Sequence, residues 1–151
     1  MDCFENVDFL AFRQAVHHLY LQSFSDMLRE FGLTRLEADI LLFLANNPAY
    51  QTAADIVEVR KIKANLVSVN VDKLVRDGYL TREPMPGDRR KTRLLCTEKA
   101  QPVIMQGRQL QSAFLQRLFA HTDQQMQDAF LKTISIMDKN LNELLEGDIA
   151  E

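Results

Sequence analysis

At 151 residues, with 46% apolar and 26% charged side chains, the chain has the size and composition of one globular domain, or of a small lobe with an added layer. No run of 18 apolar residues occurs, which excludes a membrane-spanning helix, and the acidic start Met1-Asp2-Cys3-Phe4-Glu5 lacks the regions of a secretory signal, so a cytoplasmic protein is expected. The net charge of −3 is uneven: residues 52–99 hold 11 Lys/Arg against 7 Asp/Glu, net +4, and the remainder holds 7 against 14, net −7. A basic middle inside an acidic protein points to a local anionic partner, because association depends on the contacted face and not on the whole chain.

Residues 4–31 contain no Gly or Pro and carry Val7, Leu10, Val16, Leu19, Tyr20, Phe24, Met27, Leu28 and Phe31, among which three- and four-residue steps recur. That spacing predicts one long helix, ended at Gly32. Thr34 with Glu37 three residues on is a capping-box pattern, and it opens a helix over 35–45 that buries Leu36, Ile40, Leu41, Phe43 and Leu44. Asn46-Asn47-Pro48 breaks it. Residues 50–52 suit a single short strand bridging to a later hairpin, and Thr52 suits the N-cap of a helix over 53–59.

Residues 64–77 form the next helical pattern, stopped by Gly78. At about 100° per residue, Val67, Val71 and Leu74 share one narrow sector that can bury. Asn65, Val69, Asp72 and Arg76 fall opposite, with Ser68 and Lys73 on the flanks. The outward face therefore carries mostly short polar groups and not a Glu/Lys solvation stripe. Residues 79–83 read as a strand ended by Pro84 and Pro86. Gly87 turns the chain, Asp88-Arg89-Arg90-Lys91 sits at the turn, and 92–97 returns as a second strand. Helix, helix and hairpin with a basic tip is the layout of a winged helix-turn-helix, whose second helix fits a major groove and whose hairpin can reach the neighbouring minor groove.

A third long helical region starts at Thr97-Glu98-Lys99-Ala100, with Pro102 in its first turn and an apolar face of Val103, Ile104, Leu110, Phe114, Leu115, Leu118 and Phe119. His121-Thr122-Asp123 interrupts it, Thr122 or Asp123 capping the last helix. There Phe130, Ile134, Met137, Leu141 and Leu144 are spaced 4, 3, 4 and 3, a heptad-like seam. The expected fold is mainly α with one small β-hairpin. Its core is the winged helix-turn-helix of residues 32–97, flanked by long dimerisation helices in 1–31 and 98–151. Such long apolar stripes must be covered, and a second copy of the chain is the simplest cover.

The order of elements resembles that of the MarR family, dimeric winged-helix repressors of bacteria and archaea. The likeness is most specific in Leu74-Val75-Arg76-Asp77-Gly78-Tyr79-Leu80-Thr81-Arg82 and in Gly87-Asp88-Arg89-Arg90-Lys91-Thr92-Arg93-Leu94-Leu95-Cys96-Thr97. Asp88 and Arg90 match the D-x-R of the family's wing. The resemblance implies that Arg90 enters the minor groove of double-stranded DNA and that Asp88 orients the wing. The chain departs from the family at Lys63, where a Ser cap is frequent, at Val69, where a basic residue or Pro is frequent, and at Ala100, where Gly is frequent. The first two departures leave the operator sequence open rather than the fold. DNA contacts are expected from Lys63, Asn65, Ser68, Val69 and Arg76 on the helix, and from Asp88, Arg89, Arg90, Lys91 and Arg93 on the hairpin. Short amides and hydroxyls near a helix N-terminus suit base edges and phosphates, and Lys63 suits a phosphate. A two-fold dimer implies a pseudo-palindromic operator. The family also binds small acidic or phenolic ligands beside the long helices, which makes Arg13, His17 and Tyr20 candidates for a pocket wall and ligand release of a repressor the expected regulation.

Other chemistry finds little footing. His17 and His18 diverge by about 100° on one helix and cannot share an ion, and no His, Cys or carboxylate set has a ligand spacing, so no metal or cofactor is expected. Cys3 and Cys96 form no disulfide framework. Some relatives sense oxidants through a first-helix Cys, but Asp2 and Glu5 beside Cys3 would raise its pKa, against that role. Catalytic signatures are absent, so no enzyme is expected. A protein-interaction module is the alternative from another class, and the basic hairpin is the feature that argues against it.

Overall fold

The computed structural model describes residues 8–148, so Cys3 lies outside the described residues. The helices are α1 (Phe9–Ser23), α2 (Ser25–Phe31), α3 (Arg35–Asn46), α4 (Ala53–Arg60), α5 (Ala64–Arg76), α6 (Gln101–Leu118) and α7 (Gln124–Asp148). Strands β1 (Leu80–Met85) and β2 (Asp88–Cys96) pair antiparallel, and a 3₁₀ turn, Glu98–Ala100, leads into α6. The chain divides into two compact units, residues 1–114 and 115–151. The mainly helical fold with one hairpin is the one expected.

In the first unit the core gathers Phe24, Met27, Ile40, Leu41, Phe43, Ile56, Val67, Val71, Leu74, Leu80, Val103 and Ile104. Three of these, Val67, Val71 and Leu74, are the sector read from the helical spacing. The long first helix is instead broken at Phe24, whose N–H bonds Leu21 O at 3.2 Å. The serines on either side explain the break: Ser23 Oγ donates to Tyr20 O at 2.7 Å and Ser25 Oγ to Gln22 O at 2.8 Å. Hydroxyls that take the carbonyls of the preceding turn compete with the helical ladder. Phe24 itself is fully buried, and the Arg35 guanidinium lies over its ring at 4.3 Å.

Gly32 ends α2 in the left-handed region (φ 63°), as its position required. Both N-terminal caps read from the sequence form: Thr34 with Glu37, and Thr52 with Asp55. Residues 50–52 make no strand. One ladder-like bond, Leu94 N–H to Gln51 O at 2.7 Å, ties them to β2, because Asp55 takes the Gln51 and Thr52 N–H groups at 2.9 and 2.8 Å.

In the second unit Asp123 is the cap of α7, its Oδ1 accepting from Met126 N–H at 2.8 Å. His121 takes a positive φ of 66° in the break before it. Phe130, Ile134, Met137, Leu141 and Leu144 lie on α7, and all five are exposed.

Candidate nucleic-acid interface

The site is built on α5 and the hairpin. Lys63 precedes α5 and offers no side-chain cap; its carbonyl takes the Leu66 and Val67 N–H groups at 3.0 and 3.2 Å, which leaves the Ala64 and Asn65 N–H groups open among the described residues, beside an exposed ammonium. Asn65, Ser68, Val69 and Arg76 are exposed on α5. Arg76 reaches Asp77 at 3.5 Å. Asp72, on the same outward side, is taken by Arg82 of β1, an ion pair that ties the hairpin to the helix.

The hairpin departs from the expected layout. Pro84 does not end β1 but pairs with Thr92, and the turn is Pro86-Gly87. Pro at the first turn position and Gly with φ of 86° at the second suit a type II turn. Between Pro84↔Thr92 and Met85↔Asp88 the register shifts, leaving Arg89, Arg90 and Lys91 as unpaired residues of β2. Pro84 has no N–H to donate, which is where a ladder gives way. The cations therefore occupy an irregularity on the outgoing strand and not the tip. Asp88 Oδ1 accepts from Arg90 N–H at 3.0 Å, so Asp88 fixes the backbone that carries Arg90. Among the described residues the side chains of Arg89, Arg90 and Lys91 are exposed and make no ion pair. Arg93 differs: it is half-buried and donates to Glu83, its cross-strand partner, at 2.7 Å.

Several positioning groups were missed from the sequence. Glu37 is buried in α3, caps Thr34 N–H at 2.8 Å, and pairs with Lys73 of α5. Burial pushes its carboxyl up, but Lys73 and the Thr34 donors outweigh burial and hold it below its ordinary value. At the other end of α5, Lys99 Nζ donates to Asp77 O at 2.7 Å and lies 4.6 Å from the Tyr79 ring centre, while Thr97 Oγ1 donates to Gly78 O at 2.7 Å. A sequence signal existed only for the capping half of Glu37, since its partner stands 36 residues away.

Of the pocket candidates, Arg13 and His17 are exposed and Tyr20 is half-buried. The Tyr20 hydroxyl accepts from Gln111 Nε2 at 3.0 Å, and its ring meets Phe24 and Phe114 edge-on. The Arg35 guanidinium lies 4.9 Å from the Tyr20 ring centre, and its Nη1 is buried with no hydrogen-bond partner among the described residues. A half-open groove of about 280 Å³, lined by Leu44, Tyr50, Leu94, Cys96, Ile104 and Arg108 among others, includes none of the three. The described residues hold no group of three or more potential metal ligands, and no helix among them is long and apolar enough to cross a membrane.

Residues 31–91 match the model of the MarR family. No curated protein matches the chain. Among solved structures, the fold is similar to that of a MarR transcriptional regulator from Methanosarcina mazei Go1, with 18% identity over 91% of this chain and 99% of that one, at a TM-score of 0.73. The transcriptional regulator PA3341 is 18% identical over 89% of this chain and 98% of its own, at a TM-score of 0.78. The S. aureus MepR–DNA complex is 17% identical over 91% of this chain and 98% of the other, at a TM-score of 0.73. At these identities the structural likeness establishes the fold.

Proposed function

We propose that the chain, whose residues 31–91 match the model of the MarR family, is a dimeric, sequence-specific DNA-binding transcriptional regulator, a repressor released by a small ligand. One observation supports DNA binding above the others: three exposed cations on β2, without ion-pair partners among the described residues, held beside a helix that carries short polar side chains outward and has no side-chain cap at its start. Exposed cations without partners are what counterion release uses, and open helix N–H groups suit phosphates. Asn65 and Ser68 face base edges, Lys63 and Arg76 the backbone, and Arg90 the minor groove, with Arg89 and Lys91 on adjoining phosphates. The MepR relative, solved with DNA, lends this reading weight.

Dimerisation rests on the exposed stripes. Phe9, Leu10, Phe12 and Leu19 on α1 and the seam of α7 are too apolar to remain in water, and a second copy covers them. Two lobes related by a two-fold axis then meet half-sites about 10 bp apart. The ligand is a small acidic or phenolic molecule at Tyr20, where the Arg35 guanidinium, paired with Asp39 through Nε at 3.2 Å and Nη2 at 2.9 Å, keeps Nη1 as a donor without a partner among the described residues, with His17 and Arg13 nearer the surface. It acts by favouring a dimer whose recognition helices no longer match the half-site spacing.

Selection of bound duplexes from a random pool tests this reading. The expected product is a pseudo-palindrome with half-sites about one helical turn apart, released when a phenolic acid is added. A pool that shows no enrichment at low salt refutes it.

A further inference from the structure

We propose that α5 reads thymine by its C5 methyl group, through the apolar side chains of Val69 and Leu66. The inference rests on the DNA-binding reading above and specifies the bases it recognises.

Val69 lies on the side of α5 away from Val67, Val71 and Leu74 and is 66% exposed; Leu66, on the adjoining flank, is 46% exposed. Neither packs into the core of the first unit. A β-branched residue lowers helix propensity, so an outward valine stabilises neither the helix nor the core. Its neighbours are engaged elsewhere. Asp72, three residues on, is held by Arg82, and the Asn70 amide folds back on Leu66 O at 2.8 Å. The groups left open on this face are Asn65, Leu66, Ser68 and Val69. Two offer hydrogen bonds and two offer only methyl groups.

In the major groove each base pair shows a distinct pattern, and the one apolar feature is the thymine methyl. An amide one helical turn before a valine suits an adenine edge followed by a thymine methyl, so the half-site should hold an A·T or T·A pair opposite Val69. No cation on the α5 surface competes for that position, since Arg76 lies two turns on and Lys73 is paired with Glu37.

Uracil is thymine without the methyl, so the test replaces thymine by uracil, one symmetric pair at a time, in the duplex recovered from the random pool. Wild type, Val69→Ala and Leu66→Ala are titrated against each duplex and against a scrambled one, with helicity checked by circular dichroism. Burial of one methyl is worth a factor of about four, so one uracil pair should weaken wild-type binding by about fifteenfold across two half-sites. Val69→Ala should bind the thymine duplex about as weakly as wild type binds the sensitive uracil duplex, and should lose sensitivity at that pair. Leu66→Ala should do the same at a different thymine. Full wild-type affinity for every uracil duplex, a half-site without thymine, or variants that keep the wild-type uracil response would each overturn the methyl contact while leaving DNA binding intact. Failure of the wild-type chain to distinguish the recovered from the scrambled duplex, with thymine in place, would instead overturn the DNA reading itself.

Discussion

The Lys73 ammonium of α5 pairs with the Glu37 carboxylate of α3, whose side chain is only 1% exposed. The same carboxylate accepts from Thr34 N–H, so one buried charge both starts α3 and anchors α5 against it. In the folded chain Glu37 titrates below its ordinary value, burial opposing and the Lys73 and Thr34 donors prevailing. The unfolded chain therefore takes up this proton first on acidification. The stability due to the charged form is complete above the unfolded carboxylate value of about 4.3 and is lost as pH falls through the lower folded one. Lys73→Met leaves the carboxylate buried without its cation and should cost roughly 3 kcal/mol at pH 7. Urea unfolding at pH 7 and below pH 4 checks this: the gap between variant and wild type should narrow in acid, and a gap independent of pH would place the effect in lost packing.

Gly107 of α6 faces Leu42 of α3 so closely that an added Cβ would sit 2.7 and 2.9 Å from the two Leu42 methyl carbons. Leu42 is itself buried and has little room to give. Ala has the better helix propensity by about 1 kcal/mol, but overpacking of this kind costs about 1–3 kcal/mol. Gly107→Ala should therefore lower the midpoint of thermal unfolding, and pairing it with Leu42→Ala should recover part of the loss. Additive effects of the two substitutions would show that they do not meet.

Much of this was legible in the sequence because it is local. The Thr34 and Thr52 caps, the Gly32 stop and the buried sector of α5 each follow from residues within one or two turns. What could not be read depends on distant partners or on competition. The break at Phe24 turns on two serines taking carbonyls from the helix, which the apolar spacing does not report. In the sequence alone Pro84 and Pro86 both read as strand stops, which puts the hairpin cations at a tip. The pairing of Pro84 with Thr92 moves them onto β2. Among candidate contacts, Arg93 looked equal to Arg90 in the sequence, yet a cross-strand Glu83 sets it apart. Glu37–Lys73 and Asp72–Arg82 join elements that only the fold brings together.

The Cys96 thiol is half-buried at the end of β2, 3.9 Å from Leu41 O, and burial pushes its pKa up to about 11 against the opposing charge of Arg108. The nucleophile is the thiolate, so at pH 8 Cys96 in a Cys3→Ser background should alkylate about a hundredfold more slowly when folded than in urea. Mass spectrometry of iodoacetamide time courses measures this. Equal rates in the two states would mean that the end of β2 opens readily.

Ile134 and Leu141 sit on the exposed α7 seam, two turns apart. If a second copy covers that seam, Ile134→Glu with Leu141→Glu removes four apolar side chains per dimer from the contact. The dimer dissociation constant should rise by at least about a thousandfold. Sedimentation equilibrium over micromolar concentrations gives the mass directly. A wild-type chain that sediments as a monomer throughout would show that the seam has another occupant.

The wing offers the sharpest separation of roles, because its cations are not in equivalent states. Arg90 is exposed and free of ion pairs among the described residues, Asp88 holds its N–H at 3.0 Å, and Arg93 is paired with Glu83. Arg90→Ala should weaken operator and scrambled duplexes together, since a minor-groove cation reads little sequence, and should lower the slope of log K against log salt by about one unit per subunit. Asp88→Ala should act as a partial Arg90 loss: the wing backbone loses its turn bond while the charge remains. Arg93→Ala should change the slope least, because its charge is already balanced across the hairpin. Asn65→Ala should behave differently from all three. It should cost roughly 1–3 kcal/mol per lost bidentate contact on the operator alone, relax one base pair per half-site and leave the slope unchanged. Fluorescence anisotropy with both duplexes at several salt concentrations decides among these outcomes. If Arg90→Ala keeps full affinity and slope while Arg93→Ala loses both, the hairpin approaches DNA from its other face, and the ion pair with Glu83 opens on binding.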